Sequence, residues 1–181
     1  MTAIFLVKSP SSPLVETGQT PSPTAAPRLI EELTTDEING IVFEQAGSDT
    51  IRLVKQTDGS WTNEATQAGV EAGKVEQIQS ELLATRILLV MPIDYSLDSL
   101  SLTAPVQSIT ITQANGKTMR VLIGGLTPTG NGYYVRVDDQ APVVVSKYAL
   151  DAVVELFTDV NAATPSPELP VLSESTPTPT P

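Results

Sequence analysis

The residues to test first for chemistry lie between Gly124 and Val137. Gly124-Gly125-Leu126-Thr127-Pro128-Thr129-Gly130-Asn131-Gly132 is a glycine-rich loop, and such loops can cradle phosphate with backbone N–H groups. A phosphate loop ends in Gly-Lys-Ser/Thr and opens a helix. This one has no lysine and runs into Tyr133-Tyr134-Val135-Arg136-Val137, whose aromatic and β-branched residues favour a strand. It reads as a hairpin loop. Asp138-Asp139, together with Asp94 and Asp98, offers hard oxygen ligands for a divalent cation. Their spacing is not that of a calcium loop, and adjacent aspartates between two strands are turn residues. Paired carboxylates could serve glycoside hydrolysis, but no spacing among the 21 acidic residues brings two of them to one cleft. With no histidine or cysteine, a serine nucleophile would need a lysine base. Ser146 and Lys147 are sequence neighbours, so on a helix start they point apart. No catalytic residue, metal or cofactor is therefore expected. What remains is contact chemistry. Trp61 reads as a core anchor, whereas strand alternation sends one of Tyr133 and Tyr134 outward. The expected contact surface is Gly125, Thr127, Thr129, Asn131, Tyr133 and Tyr134.

Composition narrows the partners. The 181 residues carry a net charge of −11, which repels phosphate backbones and anionic lipid headgroups. Nucleic acid is not an expected partner. The absence of cysteine excludes disulfides, thiolate nucleophiles and cysteine metal sites. Forty per cent of residues are hydrophobic but only 4% aromatic, so the core should be built of Val, Ile and Leu.

Proline marks the ends of the folded part. Residues 1–35 and 161–181 hold 11 of the 15 prolines, interleaved with Ser and Thr. Such segments bury too little apolar surface to offset their ordering entropy and read as extended linkers. The apolar run Ala3-Ile4-Phe5-Leu6-Val7 is too short to cross a bilayer, which takes about 20 residues. It reads either as a frayed start or as the end of a membrane anchor.

The folded domain is expected over 36–160 and contains an internal repeat of 38–90 and 106–160. A shift of 68 positions lays Ile41–Val54 on Ile109–Leu122 without a gap, matching Ile41/Ile109, Gln45/Gln113, Ala46/Ala114, Thr50/Thr118 and Arg52/Arg120. Each copy opens with the two-residue alternation of a β-hairpin, as in Ile41, Phe43, Ile51 and Leu53. Asn115-Gly116 marks the second hairpin turn, since both residues accept positive φ. Each copy closes with an amphipathic helix, carrying Val75, Ile78, Leu82 and Leu83 in one and Leu150, Val153, Val154 and Phe157 in the other. Ser146 stands where the second helix needs its N-cap. The expected class is α+β: two hairpin-plus-helix units forming a mainly antiparallel sheet with helices packed on it. The second copy is longer by about seven residues, in the stretch around Gly124–Val137, which reads as an enlarged hairpin loop feeding a long strand.

The order of these elements resembles the bacterial domain-of-unknown-function 4340 family. The resemblance is carried by Asp58-Gly59 before Trp61, the helix from Glu71, Leu102–Pro105, the Asn115-Gly116 hairpin, Ile123-Gly124-Gly125, Thr127–Gly130, Tyr133-Tyr134-Val135 and Ser146-Lys147-Tyr148. It covers residues 38–158. Leu100-Ser101-Leu102 departs from the family's Tyr-Gly-Leu. The resemblance implies a single-pass, membrane-anchored protein whose domain faces outside the cytoplasm, associated with transporter or gliding-motility systems. On this basis the chain is expected to be a non-enzymatic interaction domain of the bacterial cell envelope. Its partner would be a protein, such as a transporter subunit, or another envelope component, and it would meet the membrane only through an N-terminal anchor. The alternatives are a small-ligand-binding accessory of an ABC-type or gliding-type system and, remotely, a hydrolase.

Overall fold

The computed structural model describes residues 26–162. The apolar run at Ala3–Val7 and the proline-rich stretch 163–181 lie outside the described residues. In chain order the elements are a 3₁₀ turn (Thr35–Glu37), β1 (Ile38–Gln45), β2 (Ile51–Lys55), β3 (Trp61–Asn63), β4 (Ala68–Val70) and α1 (Ala72–Ala84). There follow β5 (Ile87–Val90), β6 (Gln107–Gln113), β7 (Thr118–Leu126), β8 (Gly132–Val137), β9 (Val143–Ser146) and α2 (Lys147–Ala162). The strands form one antiparallel sheet in the order β4-β3-β2-β1-β6-β7-β8-β9-β5, and the helices pack together on one face of it. The class is α+β.

The alternating residues set that face. Ile41, Phe43, Ile51, Leu53, Ile109, Ile111, Val121 and Ile123 are buried in one core with Val75, Ile78 and Leu82 of α1 and Leu150, Val153, Phe157 and Val160 of α2. Burying each such side chain stabilises the fold by roughly 1.5–3 kcal/mol. Phe43 of β1 and Phe157 of α2 stack with ring centroids 4.7 Å apart, tying the central strand to the second helix. Trp61 is buried, as its size leads one to expect. The two hairpin turns place Gly47 and Gly116 at φ of 80°, where a side chain would be strained.

The pairing registers follow the 68-residue shift. Ile41 pairs with Leu53 and Ile109 pairs with Val121, and each member of the second pair lies 68 positions after its counterpart (109 − 41 and 121 − 53). In the centre of the sheet Ile41 pairs with Ile111, Val42 with Thr110 and Phe43 with Ile109. Beyond the two hairpins the pairings differ. Leu53 pairs with Asn63, ten positions on, whereas Val121 pairs with Val137, sixteen on. The six further positions (16 − 10) fall at the end of β7 and in the loop 127–131.

Three features depart from the expected layout. Strands β4 and β5 were not foreseen, and β5 pairs with β9 at the edge of the sheet opposite β4. The linker reading of residues 1–35 is corrected for its last part: Leu29, Ile30 and Leu33 sit in the core. Apolar side chains there find a buried seat because Leu29 N–H donates to Thr85 O at 2.8 Å and Ile87 N–H to Pro27 O at 2.9 Å. The connection 91–106 also packs, on the sheet face opposite the helices, where Leu100 and Leu102 are buried over Gly124. Among the described residues no helix is long and apolar enough to cross a membrane.

Candidate functional site

The glycine pair opens the site's architecture but is not part of its surface. Strand β7 carries an irregularity between Ile123 and Leu126, where its register on β8 shifts. Gly125 N–H donates to Leu100 O at 2.9 Å. A Cβ on Gly124 would lie 2.3 Å from the same oxygen, so only glycine lets the connection come this close. Gly125, expected at the contact surface, instead packs against Ser101. It is half-buried and does not line the groove described below.

Residues 127–132 then close on themselves. Thr127 N–H donates to Gly132 O at 2.8 Å, Gly130 N–H to Thr127 O at 2.8 Å and Gly132 N–H to Thr127 Oγ1 at 3.2 Å. Gly130 takes φ of 70°, as the turn requires. Three loop amides are thus spent inside the loop rather than aimed at a ligand. Asn131 O accepts from Lys147 N–H at 3.0 Å and so satisfies the first amide of α2.

Alternation separates the tyrosines. Tyr133 pairs with Val145, a core residue, and lies on the helix face. Its hydroxyl donates to Asp151 Oδ1 at 3.0 Å, and Lys147 Nζ bonds the other oxygen of the same carboxylate. Burial pushes the Tyr133 phenol above its usual 10.0, and the hydrogen bond and charge of Asp151 add to the rise. The bond to Asp151 lifts Lys147 above 10.5, which holds it as an ammonium and makes it a poor base for Ser146. Tyr133, half-buried, thus links β8 to α2. Tyr134 faces the other way, opposite Val144.

On that side the remaining expected residues converge. Thr127, Thr129, Asn131 and Tyr134 line one groove of about 360 Å³ with Pro128, Gly132 and Val144. Its far wall is Leu88, Leu89 and Met91, from β5 and the residue after it. Leu88, Leu89, Met91, Pro128 and Val144 make much of the lining apolar, and Thr127, Thr129 and Asn131 supply its polar residues. Leu88, Leu89 and Val90 are 56–60% exposed, and Ile93, Tyr95 and Leu126 are exposed as well. Exposed aliphatic residues on an edge strand are unusual; Leu88 and Leu89 line this groove, whereas Val90 lines a separate cleft with Leu29 and Ile30. The sequence offered one signal for this wall, the apolar run Ile87–Met91 directly after a helix. The run lacks alternation, so periodicity alone did not reveal a strand.

The candidate cation ligands stay apart in role. Asp138 sits in the β8–β9 turn with φ of 46°, where its carboxylate accepts from Arg120 N–H at 2.7 Å. Asp139 pairs with Arg136 at 3.3 Å. No group of three or more acidic side chains that could hold a metal occurs among the described residues. Arg120 lies 3.8 Å from Glu44, an exposed pair worth little.

No family model, curated protein or solved structure matches the chain. The family resemblance rests on the residues that carry it.

Proposed function

We propose that the chain is a non-enzymatic interaction domain displayed on the extracytoplasmic face of a bacterial membrane. Its partner, a protein or other envelope component, docks in the groove between β5 and the Thr127–Asn131 loop. The observation that carries this reading is the pair of exposed aliphatic side chains Leu88 and Leu89, which line one groove with Tyr134 and Val144. Exposed apolar surface of this kind costs solubility and marks contact sites. Tyr134 is the type of residue that anchors interfaces. The membrane location comes from the resemblance to the domain-of-unknown-function 4340 family, as does the link to transporter or gliding systems.

A second reading, a small-ligand-binding accessory of such a system, is favoured by the groove's volume. About 360 Å³ lies at the lower end of the range for small-molecule pockets, roughly 300–1,000 Å³. The two readings separate by experiment. A partner protein retained by the wild-type chain should be lost from both Leu88→Asp and Tyr134→Ala while their circular dichroism stays native. Retention by both variants would remove the groove from the account.

The domain also reads as a tandem duplication of a four-stranded, one-helix unit. The equal registers of its two hairpins and the reciprocal pairing about Val42 and Thr110 support this. Under that reading the loop 127–131, which forms one wall of the groove, is an addition to the second copy alone.

A further inference from the structure

A second cleft, of about 330 Å³, opens on the helix side of the sheet near the 3₁₀ turn. Its lining includes Asp36, Lys55, Trp61, Ala72, Glu76 and Gln79. From these residues we infer a binding site for a small zwitterion of the α-amino acid class.

The first observation is Gln79. It is 3% exposed, and its Nε2 has no hydrogen-bond partner. Buried amides are almost always partnered, because leaving one unpaired forfeits its hydration. A ligand carboxylate in the cleft supplies the missing acceptor. The second observation is the charge around it. Lys55 and the two carboxylates of Asp36 and Glu76 face one cleft, yet none of the three forms an ion pair among the described residues. A ligand carrying both an ammonium and a carboxylate satisfies both signs at once. The third is the start of α1. No side chain caps it, and Ala72 lines the cleft, so the positive end of a 13-residue helix adds to the pull on the carboxylate.

Packing does not account for Gln79. Matching the buried residues of the two helices, Val75 with Leu150, Ile78 with Val153 and Leu82 with Phe157, puts Gln79 on Val154, which packs against the core. Valine fills the position in one half where the other carries an unpaired amide. This comparison uses the duplication proposed above; the cleft itself does not depend on it.

The test uses the full chain and the fluorescence of Trp61, its only tryptophan, which lines the cleft. L-alanine is the probe, with propionate and ethylamine each carrying one of its two charges. The expected result is a saturable change with L-alanine below about 10 mM, at least about tenfold weaker with either control. Gln79→Met removes the orphan amide at nearly constant shape and should fold at least as stably. Gln79→Met and Lys55→Met should each weaken L-alanine binding by about tenfold or more. The inference is overturned if L-alanine gives no saturable change, if propionate or ethylamine matches it, or if Gln79→Met binds as well as the wild type. Leu88→Asp should leave this titration unaltered, so failure here and failure of the groove reading remain distinct.

Discussion

Replacing Gly124 with alanine tests how the 91–106 connection is held on the back of the sheet. The new Cβ would lie 2.3 Å from Leu100 O and 3.1 Å from two side-chain carbons of Leu102. A backbone oxygen cannot rotate away, so the connection must lift. Lifting breaks the 2.9 Å bond from Gly125 N–H to Leu100 O, worth about 0.5–1.5 kcal/mol. It also exposes Leu100 and Leu102, now 2% and 3% exposed, each contributing roughly 1.5–3 kcal/mol when fully buried. With about half of that burial lost, the expected destabilisation is about 2–4 kcal/mol. Urea unfolding followed by Trp61 fluorescence measures it. Two further glycines calibrate the result. Gly125→Ala meets the movable Ser101 Oγ at 3.2 Å, with Ser101 Cβ at 3.6 Å and Leu100 O at 3.7 Å in ordinary contact, and should cost about 1 kcal/mol or less. Gly69→Ala meets nothing within 4 Å and should be neutral or slightly stabilising. A Gly124→Ala variant within about 0.5 kcal/mol of the wild type would refute the close approach.

Further outcomes follow from other contacts. Phe157→Ala removes a fully buried ring stacked on Phe43 and should cost about 3–5 kcal/mol in the same assay. Tyr133→Phe loses the bond to Asp151 and should cost about 0.5–1.5 kcal/mol. The raised Tyr133 and Lys147 values mean that the folded state binds more protons than the unfolded state above about pH 10. Their contribution is therefore complete below 10.0 and 10.5 and is lost as pH rises through the folded values. Stability scanned from pH 9 to 12 should fall, and less steeply in Asp151→Asn. At the acid end, hydrogen bonds from Thr34 lower the Glu37 carboxyl below 4.5, so its contribution is present above 4.5 and lost as pH falls through the folded value. Glu37→Gln should flatten that part of the acid limb.

Much of this fold could be read from residue spacing, and what could not has physical reasons. The hairpins follow from alternation about Gly47 and Gly116, and the helix faces from the spacing of Val75, Ile78 and Leu82. β4 is only Ala68-Gly69-Val70, three residues of which two have low strand preference, and it pairs with β3. β5 carries no alternation, and its partner β9 lies more than fifty residues downstream. Alternation put the two tyrosines on opposite faces but could not tell which face the helices cover, so Tyr133 and Tyr134 stayed interchangeable. Gly125 looked like an exposed loop residue because its neighbour Ser101 approaches from a distant segment. The groove needed both the loop and β5, and only the loop was visible in the sequence.

The face between β5 and the Thr127–Asn131 loop is the proposed meeting point of this domain and its partner. Photo-crosslinking residues placed singly at 88 and 129 in the full chain, in intact cells, test it most directly, with positions 52 and 117 as exposed controls outside the groove. A discrete adduct from 88 and 129 that is absent from 52 and 117 is the predicted result. Equal adducts at all four positions, or none from the groove, would contradict it.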